Sequence, residues 1–213
     1  MLSFQEFFTV CAGTWITERT YHYPLEADVE RSHTEFRVNP LTADEKQKIL
    51  PISESSSSLQ IDVAKFSSDE AGCPGFSIAF DTRSERGEQV SMSLQALFVP
   101  DSYVTNASAI ESPPLPLVAQ VAADATEVIR GFYLRNEGYS EGGAIAGRFT
   151  YQPTRQTLEM TTYYKRSVAV DQMRMISPDT RLRTIVTYQR PEVGQPPTII
   201  NLVGFGVEQK QLG

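Results

Sequence analysis

Along most of the chain apolar and polar residues alternate with a period of two, the mark of strands that bury one face. On that pattern strands are expected at Ile16–Tyr23, Ser32–Val38, Leu59–Phe66, Phe76–Arg83 and Glu88–Val99. A second series follows at Gly147–Gln152, Thr157–Lys165, Ser167–Ile176, Thr180–Arg190 and Thr198–Glu208, punctuated by Pro153, Ser177-Pro178 and Pro191–Pro197. The period changes at the N-terminus. Ser3 and Glu6 form a capping box, Leu2 and Phe7 stand at staple spacing, and Phe4, Phe7, Phe8 and Cys11 share one helical face that Gly13 can end. Thr42 and Glu45 cap a second short helix over Ala43–Leu50, and Val118–Arg135 is expected to contain a third that stops at Asn136-Glu137-Gly138. Ser55–Ser58 reads as loop, Gly72–Gly75 as a turn, and Pro100–Pro116, rich in Pro, Ser and Ala, as an excursion from the sheet. Many short strands with short links predict a mainly β fold, an antiparallel barrel with a short N-terminal helix, in one domain spanning 1–213.

Charge changes this picture. The chain carries 19 Lys and Arg against 26 Asp and Glu, a net charge of -7. Between Arg130 and Arg190 the balance reverses to 10 basic against 5 acidic residues. A basic strand set inside an acidic molecule suits a pocket for a small anion better than a nucleic-acid surface. The segment Met1–Glu6 lacks the basic and apolar regions of a signal peptide, and no apolar run reaches the roughly 20 residues needed to span a bilayer. Cys11 and Cys73 are too few and too far apart for a disulfide framework or a zinc site, so reduced thiols in an intracellular protein are expected. His22 and His33 are isolated and suggest no metal site.

The chemistry concentrates in Ser177-Pro178-Asp179-Thr180-Arg181-Leu182-Arg183-Thr184. On an extended chain Arg181 and Arg183 project to one side, roughly 6–7 Å apart, while Leu182 and Thr184 project to the other. Two guanidinium groups so placed suit a ligand with two carboxylates. Alternation alone favours a strand whose arginines face solvent. G-x-S-x-G, H-E-x-x-H, P-loop and G-x-G-x-x-G signatures are all missing, so any catalysis must come from carboxylates, arginines and tyrosines around a cavity.

Gly13-Thr14-Trp15 after a short helix resembles the start of lipocalin-type barrels, where the Trp closes one end. Together, GTWITERT (13–20), LRNEGYSEGGAIAGRFTY (134–151) and SPDTRLRT (177–184) resemble the CpcS/CpeS-type phycobiliprotein chromophore lyases, which carry GxWxxxRT, LLREQGY…AGRY and SPNLRLRT motifs. The resemblance implies a lipocalin-like or fatty-acid-binding-protein-like barrel with no prosthetic group. Its substrate would be a bilin, a linear tetrapyrrole such as phycocyanobilin or phycoerythrobilin. The lyase would attach it as a thioether to a cysteine of a phycobiliprotein apo-subunit, in a cyanobacterial cytoplasm or plastid stroma.

On the same ground Arg19, Arg181 and Arg183 would bind the bilin. Arg181→Ala would then weaken binding and leave the fold intact. Tyr163 and Tyr164, with Tyr151 and Tyr188, would supply aromatic lining, and Glu208 near the end of the last strand would be the catalytic carboxylate. The stretch Asp101–Ala122 has no counterpart in this resemblance. Two strands depart from it: Thr162-Tyr163-Tyr164-Lys165 stands where T-E-Y-E is usual, and Val170-Asp171-Gln172-Met173-Arg174-Met175 where E-E-R-x-W-F is usual. Loss of these acids leaves three readings: a lyase active alone or paired with itself or a homologous subunit, a non-catalytic bilin-binding partner, or a carrier of another carboxylated apolar ligand.

Overall fold

The computed structural model describes residues 1–51, 59–109, 113–121, 127–138 and 142–211. Ten antiparallel strands form a closed barrel, each paired with its neighbours in sequence: β1 (Gly13–Tyr23), β2 (Asp28–Pro40), β3 (Gly75–Ser84), β4 (Gln89–Pro100), β5 (Ile129–Arg135), β6 (Ile145–Gln152), β7 (Thr157–Tyr163), β8 (Ser167–Ser177), β9 (Thr180–Gln189) and β10 (Ile200–Lys210). β10 closes on β1, pairing Trp15 with Lys210 through His22 with Val203, which leaves no unpaired strand edge. No helix among the described residues is long and apolar enough to cross a membrane.

One end of the barrel is plugged. The capping box of helix α1 (Phe4–Cys11) forms as expected, and Phe4, Phe7, Phe8 and Cys11 turn into the barrel. Phe4 stacks on Phe149 at 5.4 Å between centroids, and Phe8 lies 4.7 Å from Phe98. The Trp15 indole, fully buried, donates Nε1–H to the Cys11 carbonyl at 2.9 Å, so the chain reverses from helix to strand around a satisfied aromatic. Gly13 makes that reversal with φ of 120°, which side chains disfavour.

The outer wall is covered in two places. Helices α2 (Ala43–Ile49) and α3 (Val63–Ser68) lie outside β4 and β5, where Leu41, Ile49 and Phe66 pack with Leu97, Val99, Phe132 and Leu134. Both strands are therefore buried on two faces there and lose their alternation. The strap Leu115–Ala119 covers Val168, Val170, Val186 and Tyr188 on β8 and β9.

Two expectations fail. Leu59–Phe66 is not a strand: Ile61 makes one isolated bridge to Val104, and α3 begins at Val63, capped by the Asp62 side chain on the Lys65 amide. A short apolar run reads the same in either state, and here the cap together with burial of Phe66 decides for helix. The expected helix within Val118–Arg135 is absent from the described residues, which hold a 3-10 turn at Leu117–Ala119 and strand β5. Ile, Phe, Tyr and Leu of β5 are needed to bridge β4 and β6, and that pairing outweighs local helix preference. The Ser55–Ser58 loop lies outside the described residues.

Candidate functional site

Beyond the plug the barrel is hollow, with a cavity of about 250 Å³ that opens at the opposite end. Its wall mixes Tyr21, Phe36, Phe80, Tyr133 and Tyr164 with Arg19, Arg135, Arg183 and Asp171. Two layers of charge run across β8, β9, β10 and β1. The deeper layer pairs Arg181 with Glu208 across adjacent strands. Glu208 accepts a charge-assisted bond from Arg181 Nε and another from Arg19 Nη2 at 2.8 Å, and is fully buried. The Arg181 guanidinium lies 4.2 Å from the Trp15 ring and 5.1 Å from Phe36, directly above the plug. Burial by itself raises the Glu208 carboxyl pKa, but the cations Arg181, Arg183 and Arg19 outweigh it and hold it at about 2.

The upper layer reads Arg183, Gly206, Arg19 across three paired strands. Two strand spacings separate the arginines, about 10 Å, with no side chain between them. A β-carbon at Gly206 would meet the Glu18 carbonyl and Thr17 Oγ1 at 2.8 Å and Arg19 Cγ at 3.1 Å, so only glycine leaves this slot clear. Arg183 Nη2 donates to Asp171 Oδ2. The other oxygen, Asp171 Oδ1, is buried on the cavity wall with no hydrogen-bond partner, as is Arg19 Nε. On the facing wall Arg135 donates to the Tyr164 hydroxyl at 2.5 Å and lies 5.0 Å from the Tyr133 ring.

A family model described as CpeS-like protein matches residues 3–108 and 113–210. The chain belongs to the CpeS-like family. A curated relative named chromophore lyase CpcS/CpeS 1, from Synechococcus sp. (strain JA-3-3Ab), is 39% identical over 207 residues, covering 97% of this chain and 96% of its own length. The S-type phycobiliprotein lyase CPES from Guillardia theta superimposes with a TM-score of 0.65 at 17% identity, over all of this chain and 95% of that one, and so shares the fold. The family match breaks only at 109–112, so most of Asp101–Ala122, unassigned from sequence, belongs to the CpeS-like pattern.

Of the residues singled out in sequence, Arg19, Arg183 and Tyr164 line the cavity. Arg181 lies beneath it, sealed against Trp15, and is not paired with Arg183 for a common ligand. Glu208 lies outside the cavity lining, and with its carboxyl held at about 2 it carries no proton to give at neutral pH; its chemistry is to anchor two arginines. Tyr163 points out of the barrel, donating to the Pro114 carbonyl at 2.5 Å, since β7 alternates and Thr162 takes the inner position. Tyr151 closes the plugged end by donating to the Leu2 carbonyl at 2.7 Å, and Tyr188 lies under the strap.

Sequence reasoning missed Tyr21, Tyr133 and Arg135, and saw Asp171 only as a surviving acid. Arg135 sits within the LRNEGYS motif, but nothing local marks it as inward-facing. Among the described residues no cluster of His, Cys, Asp and Glu could hold a metal ion; His22 stacks on Phe205, and His33 pairs with Glu18 at 2.6 Å.

Proposed function

We propose that this CpeS-like protein is a bilin lyase: it holds a linear tetrapyrrole in the barrel and attaches it covalently to a phycobiliprotein subunit. The observation that carries this is the slot between Arg183 and Arg19, with the partnerless Asp171 oxygen beside it. Two propionates match two arginines whose backbones stand about 10 Å apart across a clear glycine. Asp171 Oδ1 then accepts from pyrrole N–H groups and favours the protonated, electrophilic chromophore. The aromatic wall of Tyr21, Phe36 and Phe80 packs against the conjugated rings.

In the transfer step the acceptor cysteine's S–H adds across the exocyclic double bond of ring A. A sulfur–carbon bond forms, the proton stays on the chromophore, and nothing is oxidised or lost. The nucleophile belongs to the acceptor, which fits Cys11 and Cys73 being buried here, with burial pushing Cys73 up to about 12. A tetrapyrrole exceeds what about 250 Å³ encloses, so one end stands out of the mouth, where an acceptor subunit reaches it. The compartment is the one that assembles phycobiliproteins, cyanobacterial cytoplasm or plastid stroma.

One observation favours a partner-dependent lyase: among the described residues Asp171 is the one carboxylate that lines the cavity wall. A carrier of a singly carboxylated ligand would have no use for cations on two facing walls. Co-production with a bilin and an apo-phycobiliprotein subunit tests all three readings. Denaturation-stable pigment on the subunit is the expected result, alone or once a homologous lyase subunit is added. Pigment held only by this protein would make it a carrier of bilin, and a bound fatty acid with no pigment anywhere would end the bilin reading.

A further inference from the structure

The inner face of β1 and β2 holds buried polar atoms that the slot between the arginines leaves unused. Register carries the row Arg183, Gly206, Arg19 one strand further, to Ser32 on β2. Ser32 is 4% exposed, and its Oγ is buried with no hydrogen-bond partner, as is Arg19 Nε beside it. One rung nearer the mouth, about 7 Å along the strands, the paired residues read Asp171, Ile185, Gly204, Tyr21 and Glu30. A carboxylate stands at each end of that rung. Glu30 matches Asp171 in keeping one buried oxygen, Oε1, without a partner. Alternation sets Glu30 on the same face of β2 as Thr34 and Phe36, which line the cavity. A β-carbon at Gly204 would meet the Tyr21 ring at 2.6 Å, so that ring leans onto the bare backbone of β10 and away from β2.

We propose that Glu30 is the general base of the transfer step, taking the proton from the acceptor's cysteine thiol at the barrel mouth. The role rests on the bilin-lyase reading and adds to it the group that makes the nucleophile. A thiol attacks as its thiolate, and a free cysteine with a pKa of about 8.5 is mostly un-ionised at neutral pH. Glu30 lies mouthward of the arginines that would hold the propionates, on the side from which an acceptor enters. Its neighbours leave it uncommitted. Asp28, the next acid along that face of β2, has both oxygens bonded by Arg86 Nη2 at 2.7 Å. Arg86 faces Glu30 from the β3–β4 turn and is committed to Asp28. Tyr23 donates to Glu30 Oε2 at 3.5 Å; burial first, and then the charge of Glu30, push that hydroxyl up, so it remains a donor. In the step itself the thiol proton passes to Glu30, and the sulfur bonds to the exocyclic carbon of ring A. The π pair of that double bond moves to the neighbouring ring carbon, which takes the proton back from Glu30. The carboxylate is regenerated, and nothing is oxidised or lost. Two carboxylates on one rung thus divide the work: Asp171 holds the chromophore protonated, and Glu30 ionises the thiol.

Single-turnover transfer from the bilin-loaded full chain to an apo-phycobiliprotein subunit tests this role. Denaturation-stable absorbance on the subunit is followed from about pH 6 to about pH 10 for the parent, Glu30→Gln and Glu30→Asp, with the spontaneous reaction subtracted. Glu30→Gln keeps the shape and should cut the rate about 100-fold at neutral pH. The deficit should shrink to a few-fold at the alkaline end, where the acceptor thiol ionises unaided. Glu30→Asp should recover part of the rate, and bilin affinity by absorbance titration should be unchanged in both variants. A purely structural role for Glu30 does not give that combination. With a parent that transfers pigment, a Glu30→Gln variant that matches its rate, shows the same deficit at every pH, or loses bilin affinity would overturn the proposal and leave the lyase reading standing. A parent that binds the bilin and transfers none at any pH would end the lyase reading and this role together.

Discussion

Arg181 and Arg183 sit two residues apart on the same inner face of β9, yet they occupy two regions with opposite demands. Around Arg181 the interior is filled: Trp15 and Phe36 lie against its guanidinium, and Glu208 neutralises it. Around Arg183 the interior is hollow, and the acid beside it keeps a buried oxygen with no partner. The difference teaches that a charged side chain inside a barrel is no evidence of a ligand until its partners are counted. A complete ion pair under a plug belongs to the fold, and an incomplete one on a cavity wall is poised for something that arrives.

The largest effect should come from the filled region. Glu208→Gln leaves Arg181 buried without its counter-ion, at a cost of about 3–5 kcal/mol in urea unfolding. Arg181→Ala takes from Glu208 one of its two bonded cations and opens a void against Trp15 and Phe36, so it should compromise folding rather than leave the fold intact as the motif alone suggests. The pH dependence has a defined sign. Because Glu208 falls from 4.5 to about 2 on folding, its stabilisation is present above pH 4.5 and lost as pH falls through that window. A Glu208→Gln variant as stable as the parent at pH 7 would erase the distinction between the two regions.

In the hollow region the loss should appear in binding. Arg183→Ala is expected to weaken bilin affinity by about 1.5–3 kcal/mol, roughly 10- to 150-fold, measured by absorbance titration. Asp171→Asn keeps the shape but loses the acceptor charge, so the bound pigment should also lose the red-shifted absorption of the protonated form. Unchanged affinity and spectrum in both variants would move the ligand elsewhere.

The outer wall sharpens the contrast with smaller effects. Glu159 faces outward from β7 near the strap, where burial lifts its carboxyl from 4.5 to about 7, against the lowering effect of Gln172 and Thr161. Here the sign is reversed: the folded state holds the proton that the unfolded state gives up, so stability declines from about pH 4.5 to 7. Glu159→Gln should therefore stabilise the protein by about 1–2 kcal/mol at pH 8 and by little at pH 4.5, in paired thermal melts. Smallest of all, Tyr163→Phe removes one bond to the Pro114 carbonyl, costing about 0.5–1.5 kcal/mol, and should leave bilin affinity unchanged. A loss of pigment binding in that variant would show the strap and the cavity to be coupled.

How far the sequence could be read depended on the range of the physics involved. The capping box at Ser3 and Glu6, and the strands from Gly147 onward, are set by neighbours a few residues apart, and they formed where periodicity placed them. The helix at Val63 and the strand at Ile129 escaped because each depends on what packs against it. Tyr163 and Tyr164 show the same limit inside the site. Their neighbourhood was legible, while the face each takes follows from the register of β7 against β8.

By itself the sequence determined that Arg181 and Arg183 share a face, because a two-residue period is a local property of an extended chain. It also determined that this face lies in a basic stretch of an acidic molecule. Only the tertiary structure decided which arginine is sealed and which one meets the cavity. That division is drawn by how deep α1 and Trp15, from the other end of the chain, reach into the barrel. It is drawn too by the β9–β10–β1 register that sets Arg19 across Gly206 from Arg183. Alternation within one strand carries no information about either, since both are contacts between residues far apart in the chain.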